Sequence, residues 1–164
     1  MENFIKPVLI FGCGNTLFGD DGFGPEVVDR LNSSYDMPEF ITATDVGTGI
    51  QGILFDIAIS ADKPLSIFIV DTVLQPDRKA GELFELDLNQ IPEKNVSEFS
   101  LHQFPSVNLL QELQSDGGVT VRVLAVQAES IPEYVKPGLS QEVENAIEPA
   151  CKWLIEKSLK LVNG

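Results

Sequence analysis

Val8-Leu9-Ile10-Phe11-Gly12-Cys13-Gly14-Asn15-Thr16-Leu17-Phe18-Gly19-Asp20-Asp21-Gly22-Phe23-Gly24, followed by Pro25-Glu26-Val27-Val28-Asp29-Arg30-Leu31, decides the fold. The apolar run from Pro7 to Phe11 has the length of a strand buried on both faces, and Gly12-Cys13-Gly14 ends it. Pro25 suits a first helical position, Glu26 sits near the positive end of the dipole, and Val27, Val28 and Leu31 recur at helical spacing. The unit is strand, loop, helix. Working outward, Phe40 to Asp45 reads as a second strand and Gln51 to Ser60, with Ile53, Leu54, Ile57 and Ala58, as a second helix. Pro64 to Val70 reads as a third strand that stops at Asp71. This alternation predicts a mostly parallel sheet with helices on its faces.

Further along, Gly81 to Leu88 alternates apolar and acidic residues as a half-exposed edge strand does. Pro105 to Leu113 reads as a helix, and Val119 to Val126 as a strand after the Asp116-Gly117-Gly118 turn. A single long final helix is expected from a Ser140 N-cap, with Val143, Ile147, Ala150, Cys151, Leu154, Ile155 and Leu159 on its apolar face.

The chain has 164 residues, which fits one domain over 1–164. Its 11 basic and 25 acidic residues give a net charge of −14, which argues against nucleic acid, anionic membranes and polyanionic substrates as partners. The first twelve residues hold no apolar stretch long enough for a signal-peptide core or a membrane span. Two cysteines, Cys13 and Cys151, make no disulfide framework, so a reducing compartment, the cytoplasm, is expected.

Ligands of such a sheet bind outside the carboxyl ends of its strands. Three of those ends carry unusual sequence: the Gly12–Gly24 loop, Asp45-Val46-Gly47-Thr48-Gly49, and Asp71-Thr72-Val73. Gly12-x-Gly14 lacks the third glycine of a dinucleotide fingerprint, so it reads first as a tight turn. Asp20 and Asp21 serve either as turn residues or as a ligand pair in a glycine-rich loop. Asp71 follows a buried strand, so its carboxylate must reach solvent, cap the next turn or meet a cation. His102 is the single histidine and precedes the helix expected from Pro105. Two aspartates and an imidazole make an O,O,N set for an ion such as Zn²⁺ or Ni²⁺ if the fold brings them together. A Cys13–His102 nucleophile pair lacks a third orienting group, and the chain has no serine elbow and no Gly-Lys-Ser/Thr phosphate loop.

Taken together, Gly12-x-Gly14-Asn15-x-Leu17-x-x-Asp20-Asp21-Gly22-x-Gly24, the later Asp45-x-Gly47-Thr48, Asp71 after its strand, and His102 resemble the hydrogenase maturation proteases. Gly138-Leu139-Ser140-x-Glu142-Val143 is also similar, so the resemblance covers nearly the whole chain. It implies a three-layer α/β/α sandwich. It also implies an endopeptidase that removes a C-terminal extension from the large-subunit precursor of a nickel–iron hydrogenase once nickel is in place. By motif, the metal-contacting and catalytic triad falls on Asp21, Asp71 and His102, with Asp at the first position where some members have Glu. Asn15, Asp20, Gly47 and Thr48 fall among the substrate-contacting residues, and the nickel is expected to arrive with the substrate. Two other readings remain open from the residues alone. One is a non-catalytic metal- or nucleotide-binding module; the other is a metal-free aspartic pair of Asp21 and Asp71.

Overall fold

Burial on both sides of a sheet is what the apolar strands require, and a computed structural model of the chain, describing residues 6–87 and 107–163, provides it. Strand β1 (Val8–Cys13) leads through a 3-10 turn (Gly19–Gly22) into α1 (Phe23–Ser34). Then follow β2 (Ile41–Gly47), α2 (Ile50–Ile59), β3 (Ser66–Val73), β4 (Leu83–Leu86), α3 (Val107–Ser115) and β5 (Thr120–Gln127). Two helical segments, α4 (Gln141–Glu144) and α5 (Ile147–Asn163), complete the described chain. The sheet order is β2-β1-β3-β5-β4, parallel except for the edge strand β4.

Period-2 alternation in each central strand builds the three layers. Val8 and Ile10 of β1, Phe68 and Val70 of β3 and Leu124 and Val126 of β5 pack with Val27 and Leu31 of α1 and Ala150 and Leu154 of α5. Their neighbours Phe11 and Cys13, Ile67 and Ile69, Val123 and Ala125 pack with Leu54 of α2 and Leu110 and Leu113 of α3 on the other face. The fold is thus the three-layer α/β/α sandwich, and β4 is the expected edge strand, tied to β5 by the paired Arg122–Glu85 contacts at 2.6 and 2.9 Å.

From β1 the chain first builds outward to β2, then crosses back to place β3 on β1's other side. The topological switch point therefore lies between β1 and β3, where the loops after these strands diverge and leave a crevice. Helix α1 approaches this point closely because Gly24 has no side chain. A Cβ at Gly24 would lie 2.3 Å from the Cys13 carbonyl oxygen, 2.6 Å from the Cys13 nitrogen and 2.7 Å from the Val70 carbonyl oxygen. Gly12 is its counterpart on the strand, where a Cβ would lie 2.4 Å from the Gly24 carbonyl oxygen.

The structure corrects two sequence expectations. Asp71 does not follow its strand but lies inside it, because β5 pairs with β3 as far as Val73↔Gln127. The final helix is split at Asn145 and Ala146. Pro149 has no N–H to donate to the Asn145 carbonyl, and its ring would crowd that oxygen, so one continuous helix cannot pass. Ser140 precedes α4 in an extended conformation but makes no side-chain cap bond. Its hydroxyl is used elsewhere, as described below.

Gly24→Ala should cost at least about 1–3 kcal/mol, since the obstructing atoms are backbone. Gly52→Ala should instead stabilise by roughly 0.5–1 kcal/mol, because Gly52 lies inside α2 with nothing within 4 Å of an added Cβ. Urea midpoints of the two variants would move in opposite directions.

Candidate active site

The loop after β1 has to bring acidic residues back over a buried strand, and its glycines and one asparagine shape that path. Gly14 sits at φ +135° with the Asp21 carbonyl so close that a Cβ would lie 1.9 Å from its oxygen. Asn15 folds the loop with its side-chain oxygen accepting the Leu17 N–H at 2.9 Å, and its own N–H donates to Asp21 Oδ2 at 3.0 Å. Gly14 N–H donates to the Gly47 carbonyl at 2.9 Å, which fastens the end of β2 to the same loop.

Asp20, Asp21 and Asp71 are all buried, at 2%, 0% and 2% exposure. Aspartates are seldom so enclosed unless something accounts for the charge. For Asp20 the account is complete. Its Oδ1 accepts the Ser140 N–H at 2.7 Å, and its Oδ2 accepts the Glu129 N–H at 2.8 Å and the Ser140 hydroxyl at 2.9 Å, with Ser130 N–H at 3.4 Å. These bonds fasten the 3-10 turn to the segment 129–140, so the Asp20 carboxylate is committed inside the chain.

Asp71 is different in kind. Its Oδ1 accepts the Thr72 N–H at 2.8 Å, but burial first and the nearby Asp21 charge second push its carboxyl well above the ordinary carboxylate range. A carboxyl shifted in this direction is a candidate acid–base group near the switch point. Cys13 shares this environment. Burial, then the charges of Asp71, Asp21 and Asp45, push its thiol far up, so it stays protonated and makes a poor nucleophile. Cysteine catalysis therefore has no support in the electrostatics.

Gly47 turns at φ +53° and spends its N–H on Asp45 Oδ1 at 2.9 Å, while Gly49 N–H goes to the Val46 carbonyl at 2.9 Å. Both amides of this turn thus have partners within it, and Thr48 stands exposed at its tip. His102 lies outside the described residues, as does Pro105. Among the described residues, no three His, Cys, Asp or Glu groups converge as a metal site. The structure thus brings Asp21 and Asp71 together with Asn15 and Gly47 around them, and gives Asp20 to the scaffold. Sequence reasoning missed Thr72, whose hydroxyl donates to the Asp20 carbonyl at 2.8 Å, and the use of Ser140 as an Asp20 partner. The Gly138-Leu139-Ser140 motif was the available signal for the second, read as a helix cap.

Beside the 3-10 turn opens a cleft of about 460 Å³, lined by Gly19, Pro132, Tyr134, Lys136, Leu139 and Ser140 among others. Lys136 N–H donates to the Leu17 carbonyl and Gly19 N–H to the Lys136 carbonyl, both at 2.8 Å, so the cleft wall is clamped to the β1 loop. A nucleotide site would need a phosphate cradle at this crevice. The Gly12–Gly14 turn is instead packed against the Asp21 carbonyl, with two buried acids behind it.

Comparison with known proteins agrees on one family. The family model for hydrogenase maturation proteases matches residues 25–157. The delta subunit of the coenzyme F420 hydrogenase of Methanothermobacter thermautotrophicus is 31% identical over 92% of this chain and 93% of its own. The solved structure of the hydrogenase-maturating endopeptidase HybD of E. coli superposes with a TM-score of 0.75 at 25% identity, covering 94% of this chain and 93% of that one. A hydrogenase 2 maturation peptidase from a Thaumarchaeota archaeon shares 34% identity, with a TM-score of 0.59 over 95% and 99% of the two chains.

The raised carboxyl of Asp71 has a stability consequence. The native state keeps this proton to higher pH than the unfolded chain does, so its contribution to stability is full below the ordinary carboxylate pKa. That contribution is lost as pH rises through the native value. Asp71→Asn should therefore melt several degrees above the parent at pH 7 in chelator-treated buffer, with the gap closing towards pH 4 in thermal scans.

Proposed function

The chain belongs to the hydrogenase maturation protease family and is a peptidase, and on that premise we propose that it removes a C-terminal extension from a nickel-loaded hydrogenase large-subunit precursor. Asp21 and Asp71 give two oxygen donors and His102 an imidazole nitrogen, and together they engage the nickel that the precursor carries. One observation carries the reading: two carboxylates from different segments are buried near the switch point, and burial together with the charge of the first pushes the carboxyl of the second well above its ordinary range. Such a pair stores an electrostatic penalty that a divalent cation relieves on arrival. A precursor without its metal leaves the penalty in place, so the same two acids that bind the finished substrate disfavour the unfinished one.

Hydrolysis adds water across the scissile amide, with hydroxyl to the carbonyl carbon and a proton to the departing nitrogen. A carboxyl pushed up by burial, as at Asp71, suits proton exchange with the reacting groups. The cleft beside the 3-10 turn takes the extended tail, with Lys136 in its lining. The two buried thiols and the acidic surface fit a cytoplasmic enzyme that meets a protein substrate and no nucleic acid, and no helix among the described residues is long and apolar enough to cross a membrane.

Asp21→Ala, Asp71→Ala and His102→Ala should each lower processing by at least about 100-fold, the scale for loss of a group acting on the reacting centre. Mass spectrometry of the released tail, from precursor with and without nickel, reads the result. Parent-rate cleavage by all three variants would overturn the assignment. Cleavage of nickel-free precursor in chelator that survives His102→Ala would instead identify a metal-free aspartic pair.

A further inference from the structure

We infer that Thr72 is a positioning residue whose hydroxyl, through the Asp20 backbone, fixes the separation of the Asp21 and Asp71 carboxylates. The inference rests on reading those carboxylates as the reacting groups. Each is one residue from the bond in question, since Asp20 precedes Asp21 and Asp71 precedes Thr72. The hydroxyl donates to the Asp20 carbonyl at 2.8 Å with both residues buried. That carbonyl also accepts the Phe23 N–H that closes the 3-10 turn, so both of its lone pairs are engaged.

The geometry explains why this bond governs the pair. Successive β3 side chains leave opposite faces of the sheet. Phe68 and Val70 face α1, whereas Ile67, Ile69 and Val73 face α2 and α3. By the same alternation Thr72 leaves on the α1 face, and Asp71 on the face it shares with Cys13 and Val73. Thr72 therefore grips the turn from one face while Asp71 presents its carboxyl from the other. The turn itself is held on a second side by the Asp20 carboxylate and its bonds to Glu129 and Ser140. With the turn fixed from both sides, Asp21 keeps its place at the end of a short rigid segment rather than on a free loop. A buried, doubly anchored carbonyl thus ties the backbone beside one acid to the backbone beside the other. Valine matches threonine in shape but removes the donor, whereas serine keeps it.

Two amides report the carboxylate positions without any substrate: Asn15 N–H on Asp21 Oδ2 and Thr72 N–H on Asp71 Oδ1. In Thr72→Val, hydrogen exchange at Asn15 should quicken by about tenfold or more while Ile10 in β1 exchanges as in the parent, a local opening rather than global unfolding. With nickel-loaded precursor, kcat should fall by about tenfold or more and KM stay within about twofold, the signature of misplaced reacting groups. Thr72→Ser should restore both readouts. An unchanged Asn15 amide in Thr72→Val, or a serine variant as impaired as the valine one, would overturn the inference. If Asn15 responds and serine rescues it but the parent cleaves no precursor, the positioning device stands and the proposed substrate falls.

Discussion

Backbone contact between α1 and β1 is the constraint on which the remaining structure depends. Gly24 meets the Cys13 backbone and the Val70 carbonyl at distances no side chain would permit, and Gly12 receives the helix from the strand side. The first turn of α1 is thereby set directly over the junction of β1 and β3, where the topology reverses. The segment from Gly12 to Gly24 must then begin and end at nearly the same place. It folds back on itself, with Gly14 against the Asp21 carbonyl and Asn15 against the Asp21 carboxylate.

This return path makes the electrostatics possible. A strand buried throughout would not ordinarily tolerate an aspartate, yet Asp71 lies within one. The loop covers it while supplying a second acid, and the result is a carboxyl raised by burial and by its neighbour rather than lowered by a partner cation. The three adjacent acids of this region divide their work by environment. Asp20 is fully hydrogen-bonded and holds segments together; Asp21 and Asp71 are buried near the junction of β1 and β3. Burial keeps all three carboxylates away from bulk water.

Legibility from the sequence followed the physics of each element. Buried central strands and amphipathic helices announce themselves through apolar runs and 3.6-residue spacing, so β1, α1, β3 and β5 were readable to within a few residues. The ends were not. Whether β3 stops before or after Asp71 depends on how far β5 runs alongside it, which is a long-range pairing. The break between α4 and α5 had a local cause in Pro149 that a strong apolar periodicity concealed. Ser140 looked like a helix cap because serine before a helix usually is one; a buried carboxylate 120 residues away proved the better acceptor for its hydroxyl.

By itself, then, the sequence determined the layer architecture, the glycines of the first loop, and which acids fall near the carboxyl ends of strands, because these follow from local periodicity and from residue size. Tertiary structure alone decided that the Asp20 carboxylate braces the segment 129–140, that Thr72 links the two acidic segments, and that burial pushes the Asp71 carboxyl up. Those properties come from which donors and charges a carboxylate meets once water is gone, and that company is assembled from residues 20, 72, 129 and 140, which only the fold brings to one place.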